Sequence, residues 1–313
     1  MSQRHCGWAT PSTLALWLLA SLVVSGLAGC ATTGATLDAG GALQVVVGEN
    51  FWGSIVAQLG GTRVSVRSIV TDPNADPHEY ESSAADARAF ATARYVVLNG
   101  AGYDSWAQKL LDANPVNGRK VFTVATLLNK RAGDNPHFWY NPAFVERMAN
   151  QVTADLTALD PAGASYFAQR RADFETALTP YHDRIAAIRA SFAGRSVGST
   201  ESIFVYMASA LGLNLTSPPA FMQAVSEGND PPVSTVAQFQ TQITQRQISV
   251  LVYNTQTATS VTTNLLQLAA QAHVPVVGIT ETVQPPNQSF EDWQTSQLAR
   301  LQKALQQASE HTP

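Results

Sequence analysis

The sequence predicts an α/β protein with two lobes, each a mostly parallel sheet flanked by helices, joined by one long interdomain helix. Short apolar runs alternate with helical periods through residues 43–160, and the same alternation resumes in residues 195–313. Between them, residues 161–194 carry a nearly continuous helical pattern, longer than one small domain needs. Because the alternation resumes after this segment, we interpret the segment as a connector between two lobes.

Residues 1–29 have the pattern of an export signal, with charged residues near the start and a mostly apolar run over residues 14–24. That run is too short to span a bilayer comfortably, which favours a signal over a transmembrane anchor. The segment ends in Leu27-Ala28-Gly29-Cys30, which resembles a bacterial lipobox. The resemblance implies cleavage before Cys30, lipid on its thiol and attachment to the bacterial cell membrane.

The chain has two cysteines, Cys6 within the signal and Cys30 at the expected cleavage site. The mature protein is therefore expected to lack a thiol for a disulfide or a zinc-thiolate site, so nitrogen and oxygen would hold any metal. Residues 30–42 are small and polar, which predicts a flexible tether.

The composition predicts a folded protein that does not bind nucleic acid. Hydrophobic residues make up 45% of the chain and charged residues 13%, which favours a packed core over disorder. The net charge is −4, and no basic patch with interleaved aromatic residues is present.

Apolar runs and end signals locate the elements of each half of the chain. The strands are predicted at residues 43–47, 64–70, 95–98, 196–199, 248–253 and 274–279. Helices are predicted at residues 50–59, 82–92, 104–112, 141–159, 202–211, 233–245, 261–272 and 290–307. In the connecting helix, Pro180 is expected to cause a kink.

Two Pro-His pairs stand out in loops. One is Asp76-Pro77-His78-Glu79-Tyr80-Glu81 and the other is Asn135-Pro136-His137-Phe138-Trp139-Tyr140-Asn141-Pro142. Proline stiffens the backbone just before each imidazole, which reduces the disorder lost when a ligand binds. Either histidine alone could be a surface or capping residue, but the pair, with carboxylates further along the chain, favours a metal site. His78 also follows a predicted strand, and ligands of parallel sheets bind beyond the carboxyl ends of strands.

With these motifs, residues 43–309 resemble the cluster 9 (cluster A-I) metal-binding lipoproteins of ABC importers. The two Pro-His motifs look like the first and second ligand motifs of that family. Asparagine stands at 135 and 141, where the family usually has aspartate. The long connecting helix resembles the family's rigid interdomain helix.

The resemblance implies two further ligands in the second lobe. Glu201 occupies the place of the third ligand, which is histidine in many zinc-specific members and often glutamate in manganese-type members. Glu281 stands where the fourth ligand is normally aspartate, and Asp292 is a less favoured substitute. Glu201 could instead be a carboxylate that interacts with a helix dipole, and Glu281 a solvated loop carboxylate.

His78, His137, Glu201 and Glu281 together would offer two imidazoles and two carboxylates, a set that suits Mn²⁺, Fe²⁺ or Zn²⁺. Affinity alone favours zinc over manganese. However, residues 100–135 lack the histidine-rich stretch that many zinc-specific members carry, which favours manganese or another non-zinc metal.

The resemblance therefore implies an extracytoplasmic, monomeric solute-binding lipoprotein. It would capture one divalent metal ion between its lobes and deliver it to a membrane permease that works with an ATPase. A secreted metal-dependent hydrolase is the alternative, although four protein donors would close the site and no His-Glu-x-x-His or Gly-x-Ser-x-Gly motif is present. A surface adhesin is a more distant alternative, with no receptor-binding module to support it.

Overall fold

The structure is a computed structural model that describes residues 41–74 and 77–310. Two four-stranded parallel sheets form its framework. The first sheet has the strand order β2-β1-β3-β4, and the second has the order β6-β5-β7-β8. Every pair of neighbouring strands is parallel. The strands are β1 (Leu43–Glu49), β2 (Val64–Val70), β3 (Tyr95–Leu98), β4 (Lys120–Thr123), β5 (Ser196–Ser199), β6 (Asn214–Leu215), β7 (Leu251–Asn254) and β8 (Val276–Ile279).

Helices connect and cover these strands, as parallel pairing requires. We call the first sheet with α1 to α5 the N-terminal lobe, and the second sheet with α8 to α12 the C-terminal lobe. The helices are α1 (Asn50–Gly60), α2 (Ala84–Thr92), α3 (Ser105–Ala113), α4 (Val124–Leu127), α5 (Pro142–Leu159), α6 (Ala164–Ala177), α7 (Thr179–Phe192), α8 (Val205–Ala210), α9 (Pro219–Ser226), α10 (Val233–Thr244), α11 (Ser260–Gln271) and α12 (Phe290–Glu310).

Strand β1 lies between β2 and β3 and is buried on both faces. Val45 and Val47 belong to the main hydrophobic cluster, whereas Val46 belongs to a smaller cluster with residues of α2 and α3. Successive side chains of a strand point to opposite faces, so β1 joins the two layers of helices. Glu49, the last residue of β1, follows the alternation of Val45 and Val47 and is 1% exposed.

Close packing explains a glycine in the middle of β5. A Cβ atom added to Gly198 would lie 2.8 Å from the Ile248 side chain and 2.9 Å from the Phe239 ring. The glycine therefore lets α10 and the segment before β7 approach the strand.

The connecting segment is helical from residue 164 to 192, as predicted, but it divides into α6 and α7 at Leu178. Leu178 keeps a helical backbone conformation, with φ −72° and ψ −11°. Pro180 stands in the first turn of α7, where its missing N–H and its ring are tolerated. The helical run is thus interrupted next to Pro180, at the position where the sequence predicts a kink.

One hydrophobic cluster extends across both lobes and the connecting helices. It includes Val47 of β1, Trp139, Tyr181 of α7, Val252 of β7 and Trp293 of α12. Both lobes also fall within one compact unit. A shared core means that the two sheets are not held together by the connecting helices alone.

Among residues 41–74 and 77–310, no helix has the length and apolar character needed to cross a membrane. The predicted signal peptide, Cys30 and nearly all of the tether lie outside the described residues, as does Asp76 of the first Pro-His motif.

Candidate metal centre

His78, His137 and Glu281 converge on one point in the structure. Their ligand atoms all lie within 4.8 Å of one another. Glu281 Oε2 is 3.5 Å from His78 Nε2 and 3.9 Å from His137 Nε2. The side chains of His137 and Glu281 are fully buried, while that of His78 is 21% exposed. This group therefore has one edge open to solvent.

Loops provide all three side chains, and those of His78 and Glu281 come from loops at the carboxyl ends of strands. His78 lies in the short 3-10 turn Pro77–Glu79, in the loop that follows β2. His137 immediately precedes the 3-10 turn Phe138–Tyr140, which leads into α5. Glu281 follows β8 by two residues, in the C-terminal lobe. The site thus forms where parallel α/β sheets commonly bind ligands, and it draws on both lobes.

The tautomer of His137 follows from its neighbours. Asn135 Oδ1 accepts a hydrogen bond from the backbone N–H of His137 at 3.1 Å and lies 2.8 Å from His137 Nδ1. Since Oδ1 can only accept, Nδ1 must carry the proton, and the lone pair is left on Nε2. Among the described residues, Nε2 has no hydrogen-bond partner.

The protonation state of His137 also suits a ligand. Burial lowers the pKa of His137 well below its ordinary value, and the nearby His78 lowers it further. The imidazole is therefore neutral, the form that binds metals. Its Nε2 lone pair faces the carboxylate of Glu281.

Neighbouring side chains hold Glu281 in place from both lobes. Tyr103, in the N-terminal lobe, donates its hydroxyl hydrogen to Oε2 of Glu281. Asn254, the last residue of β7, donates from Nδ2 to Oε1 at 2.6 Å. The backbone N–H of Glu281 donates to Gln256 Oε1 at 2.8 Å. Such partners orient a ligand before the ion arrives.

Glu201 is fully buried but does not belong to the group of three ligand atoms within 4.8 Å. It directly precedes the 3-10 turn Ser202–Phe204, just after β5. Burial raises the pKa of Tyr140 well above its ordinary value, the bond to Gln297 opposes the rise, and Glu281 and Glu201 both add to it. Both carboxylates are therefore close enough to act electrostatically on the Tyr140 hydroxyl. Asp292, the substitute considered for Glu281, is exposed in the first turn of α12.

A third carboxylate, Glu49, was not predicted from the sequence. It is 1% exposed, and within the described part of the chain neither carboxylate oxygen has a hydrogen-bond partner. Burial raises the pKa of Glu49 well above its ordinary value, and the negative charges of Asp104 and Glu281 raise it further. The protonated form of Glu49 is thus favoured.

Tyr103, Asn254, Gln256 and Glu49 were all missed by the sequence analysis. None belongs to a recognisable motif, but each lies at the end of a strand or in the loop after it. Their position beyond the carboxyl ends of β1, β3 and β7 was the one signal that could have identified them.

A cavity of about 570 Å³ opens beside the exposed edge of His78. Residues of both lobes line it, including Asn135 and Tyr103 on one side and Ser202 and Ser226 on the other. Its described lining also contains the carboxylates of Glu79, Asp134 and Glu227 but no lysine or arginine. The cavity provides a route from solvent to the group of three ligand atoms.

Curated relatives with similar sequences carry metal-binding names. A manganese-binding lipoprotein, MntA, from Halalkalibacterium halodurans is 28% identical over 204 residues, which cover 63% of this chain and 66% of that protein. The metal ABC transporter substrate-binding lipoprotein FimA of Streptococcus parasanguinis is 27% identical over 181 residues, 54% of this chain and 57% of that protein. The chain thus matches somewhat less than two thirds of the length of either relative.

Solved structures support the fold. The Mn-bound periplasmic metal binding protein of Candidatus Liberibacter asiaticus has a TM-score of 0.69 and 18% identity, covering 83% of this chain and 98% of that one. A crystal structure of ZnuA gives a TM-score of 0.67 with 22% identity, covering 86% and 99%. At these identities the likeness demonstrates a common two-lobed α/β fold.

The family profile for the periplasmic component A of the zinc-uptake complex, ZnuA, matches residues 45–304. That range includes nearly all of both lobes, the connecting helices and all four residues predicted to bind metal. The chain belongs to the ZnuA family, that of the periplasmic component A of the zinc-uptake complex.

Proposed function

We propose that this protein is an extracytoplasmic solute-binding lipoprotein of an ABC importer. It captures one divalent transition metal ion between its lobes and delivers the ion to a membrane permease that works with an ATPase. The observation that carries the proposal is the convergence of His78, His137 and Glu281 from the two lobes. The names of the relatives, which include lipoproteins of metal ABC transporters, support the same role.

The spacing of the three ligand atoms fits one ion. Metal–ligand bonds of about 2.1 Å in a tetrahedral site separate neighbouring donors by about 3.4 Å. The observed separations from Glu281 Oε2 are 3.5 Å to His78 and 3.9 Å to His137. Small inward movements of these side chains would bring all three atoms onto one ion. Glu201, buried and near Tyr140, is the proposed fourth ligand.

The proposed cargo is manganese, zinc or ferrous iron, with manganese or another non-zinc metal favoured. Two imidazoles and two carboxylates form a harder set than three imidazoles and one carboxylate, which reduces the advantage of zinc. The relative MntA is named for manganese, whereas the family is named for zinc uptake. Burial of His137 and Glu281 favours binding of an ion over hydrolysis, which needs an open position for water and a substrate.

Metal titration of the purified protein tests the ligand set. After chelator treatment, we expect one Mn²⁺ or Zn²⁺ per chain and thermal stabilisation of about 4 kcal/mol at a thousandfold excess over Kd. His137→Ala and Glu201→Ala should weaken the binding of every metal, and Glu201→His should shift preference toward zinc. Asp292→Asn is the matched control, since Asp292 is exposed and outside the site.

Unchanged affinity in His137→Ala would refute the site, and unchanged affinity in Glu201→Ala would remove Glu201 from it. Hydrolytic turnover dependent on the metal would support the enzyme instead of the carrier. The proposed anchor has its own test in Cys30→Ala, which should abolish lipid labelling of the cellular protein. Persistent labelling in that variant would contradict attachment through Cys30.

A further inference from the structure

Asn135 connects a proposed metal ligand of one lobe to the backbone of the other. Its Oδ1 atom lies against His137, and its Nδ2 atom donates to the carbonyl oxygen of Ser202 at 2.7 Å. We propose that Asn135 is a positioning residue through which contact between the lobes holds His137 in the tautomer that binds metal. This inference rests on the proposed function, since it concerns the loading and release of the same ion.

Groups of fixed polarity determine the orientation of the Asn135 amide. The backbone N–H of His137 can only donate, so the atom that faces it must be the oxygen. The carbonyl of Ser202 can only accept, so the atom that faces it must be the nitrogen. A flip of the amide would place two donors together at one end and two acceptors together at the other. The contact with Ser202 therefore helps to keep Oδ1 toward His137.

The C-terminal lobe holds Ser202 ready for this contact. The hydroxyl of Ser226 accepts from the backbone N–H of Ser202 at 3.0 Å and lies 2.7 Å from the Ser202 hydroxyl. A second bond between the lobes reaches the same asparagine, because Tyr206 donates its hydroxyl hydrogen to the backbone carbonyl of Asn135 at 2.9 Å. Asn135 is thus the point where several polar contacts between the lobes meet.

This arrangement couples lobe separation to the loss of a prepared ligand. When Ser202 moves away from Asn135, only the backbone N–H of His137 still selects the orientation of the amide. If the amide then flips, its NH₂ group faces Nδ1 and the imidazole carries its proton on Nε2, which removes the lone pair that would bind the ion. A carboxylate at position 135 could accept from His137 but could not donate to Ser202. The amide alone serves both partners.

Three variants of the mature protein, purified in detergent, separate the two contacts. Asn135→Ala removes both contacts and should weaken metal affinity about 10- to 100-fold, the usual effect of losing a partner of a ligand histidine. Asn135→Asp keeps the acceptor for His137 but loses the donor to Ser202, so it should keep the tautomer and release metal faster. Tyr206→Phe is the matched control, since it removes a bond between the lobes without altering the amide.

The decisive measurement is the nitrogen NMR spectrum of ¹⁵N-histidine in the metal-free variants, paired with metal dissociation rates measured with a chelator. His137 should carry its proton on Nδ1 in the wild type, in Asn135→Asp and in Tyr206→Phe, and should show mixed tautomers in Asn135→Ala. Ser226→Ala should also increase the Nε2–H form, because it loosens Ser202, whose carbonyl accepts from Asn135 and whose hydroxyl lies 3.4 Å from His137 Nδ1.

An unchanged tautomer and unchanged affinity in Asn135→Ala would overturn the proposal. Equal effects of Asn135→Ala and Tyr206→Phe on both measurements would also overturn it, because they would reduce the role of Asn135 to general contact between the lobes. Failure of the proposed function gives a different result. In that case wild-type protein would bind no metal, or would bind it equally well after His137→Ala.

Discussion

Glu49 offers a test of the electrostatics around the site through the pH dependence of stability. The change is Glu49→Gln, which keeps the size of the side chain and removes its titration. Because the folded-state pKa of Glu49 is raised, the folded chain keeps a proton that the unfolded chain loses above about pH 4.3. The free energy of unfolding should therefore fall as pH rises from about 4.3 to the folded-state pKa, by up to about 1.36 kcal/mol per pH unit.

His137 has the opposite effect. Its folded-state pKa is lowered, so the unfolded chain binds a proton below about pH 6.5 that the folded chain excludes. The free energy of unfolding should therefore fall as pH decreases below about 6.5, with the same limiting slope of about 1.36 kcal/mol per unit. Between about pH 4.3 and 6.5 the two groups oppose each other in the wild type.

Removing the Glu49 carboxyl should expose the His137 contribution. In metal-free Glu49→Gln, stability should fall more steeply than in the wild type as pH decreases from about 6.5 to 5. Urea unfolding at half-unit pH intervals, with chelator present, measures both slopes. Glu79→Gln is the control, since Glu79 is exposed. Parallel pH profiles of Glu49→Gln and wild type would show that the Glu49 carboxyl does not hold a proton in the folded state.

Two further predictions concern contacts around Glu281. Tyr103→Phe removes the hydroxyl that donates to Glu281 and should lower metal affinity about 10- to 100-fold in calorimetric titrations. An unchanged Kd would show that this hydrogen bond does not orient the proposed ligand Glu281. Asn50→Ala removes two hydrogen bonds to the backbone of Val283, of 2.9 Å and 3.3 Å. It should lower the free energy of unfolding by about 1–3 kcal/mol, which denaturant melts would detect. An unchanged midpoint would mean that water replaces the amide at no cost.

Much of the fold follows from local pattern, because buried parallel strands are apolar runs between helical periods. The two strands that the sequence did not predict lie at edges of the sheets. Strands β4 and β6 are four and two residues long, and of their six side chains only that of Phe122 is buried, so neither has a strong apolar run. Helix α9 was also missed, since it begins at the Pro218-Pro219 pair, which is equally typical of a loop.

The candidate site was likewise predictable only in part. His78 and His137 were recognisable because proline and histidine stand together in the chain, whereas Glu281 was reached only through resemblance to a family. Its partners Tyr103 and Asn254 are 178 and 27 residues away in sequence, a separation that no local pattern encodes. Which oxygen meets which imidazole depends on how two lobes pack, and that is a property of the whole core.

The carboxylates around the cavity beside His78 have a kinetic consequence. Glu79, Asp134 and Glu227 attract cations as they approach, and a dication feels twice the force that a monovalent ion feels. This attraction extends about 8 Å at physiological ionic strength and about 3 Å at 1 M salt. Added salt should therefore slow the capture of metal while it leaves the lifetime of the bound state nearly unchanged, since the proposed ligands His137 and Glu281 are fully buried.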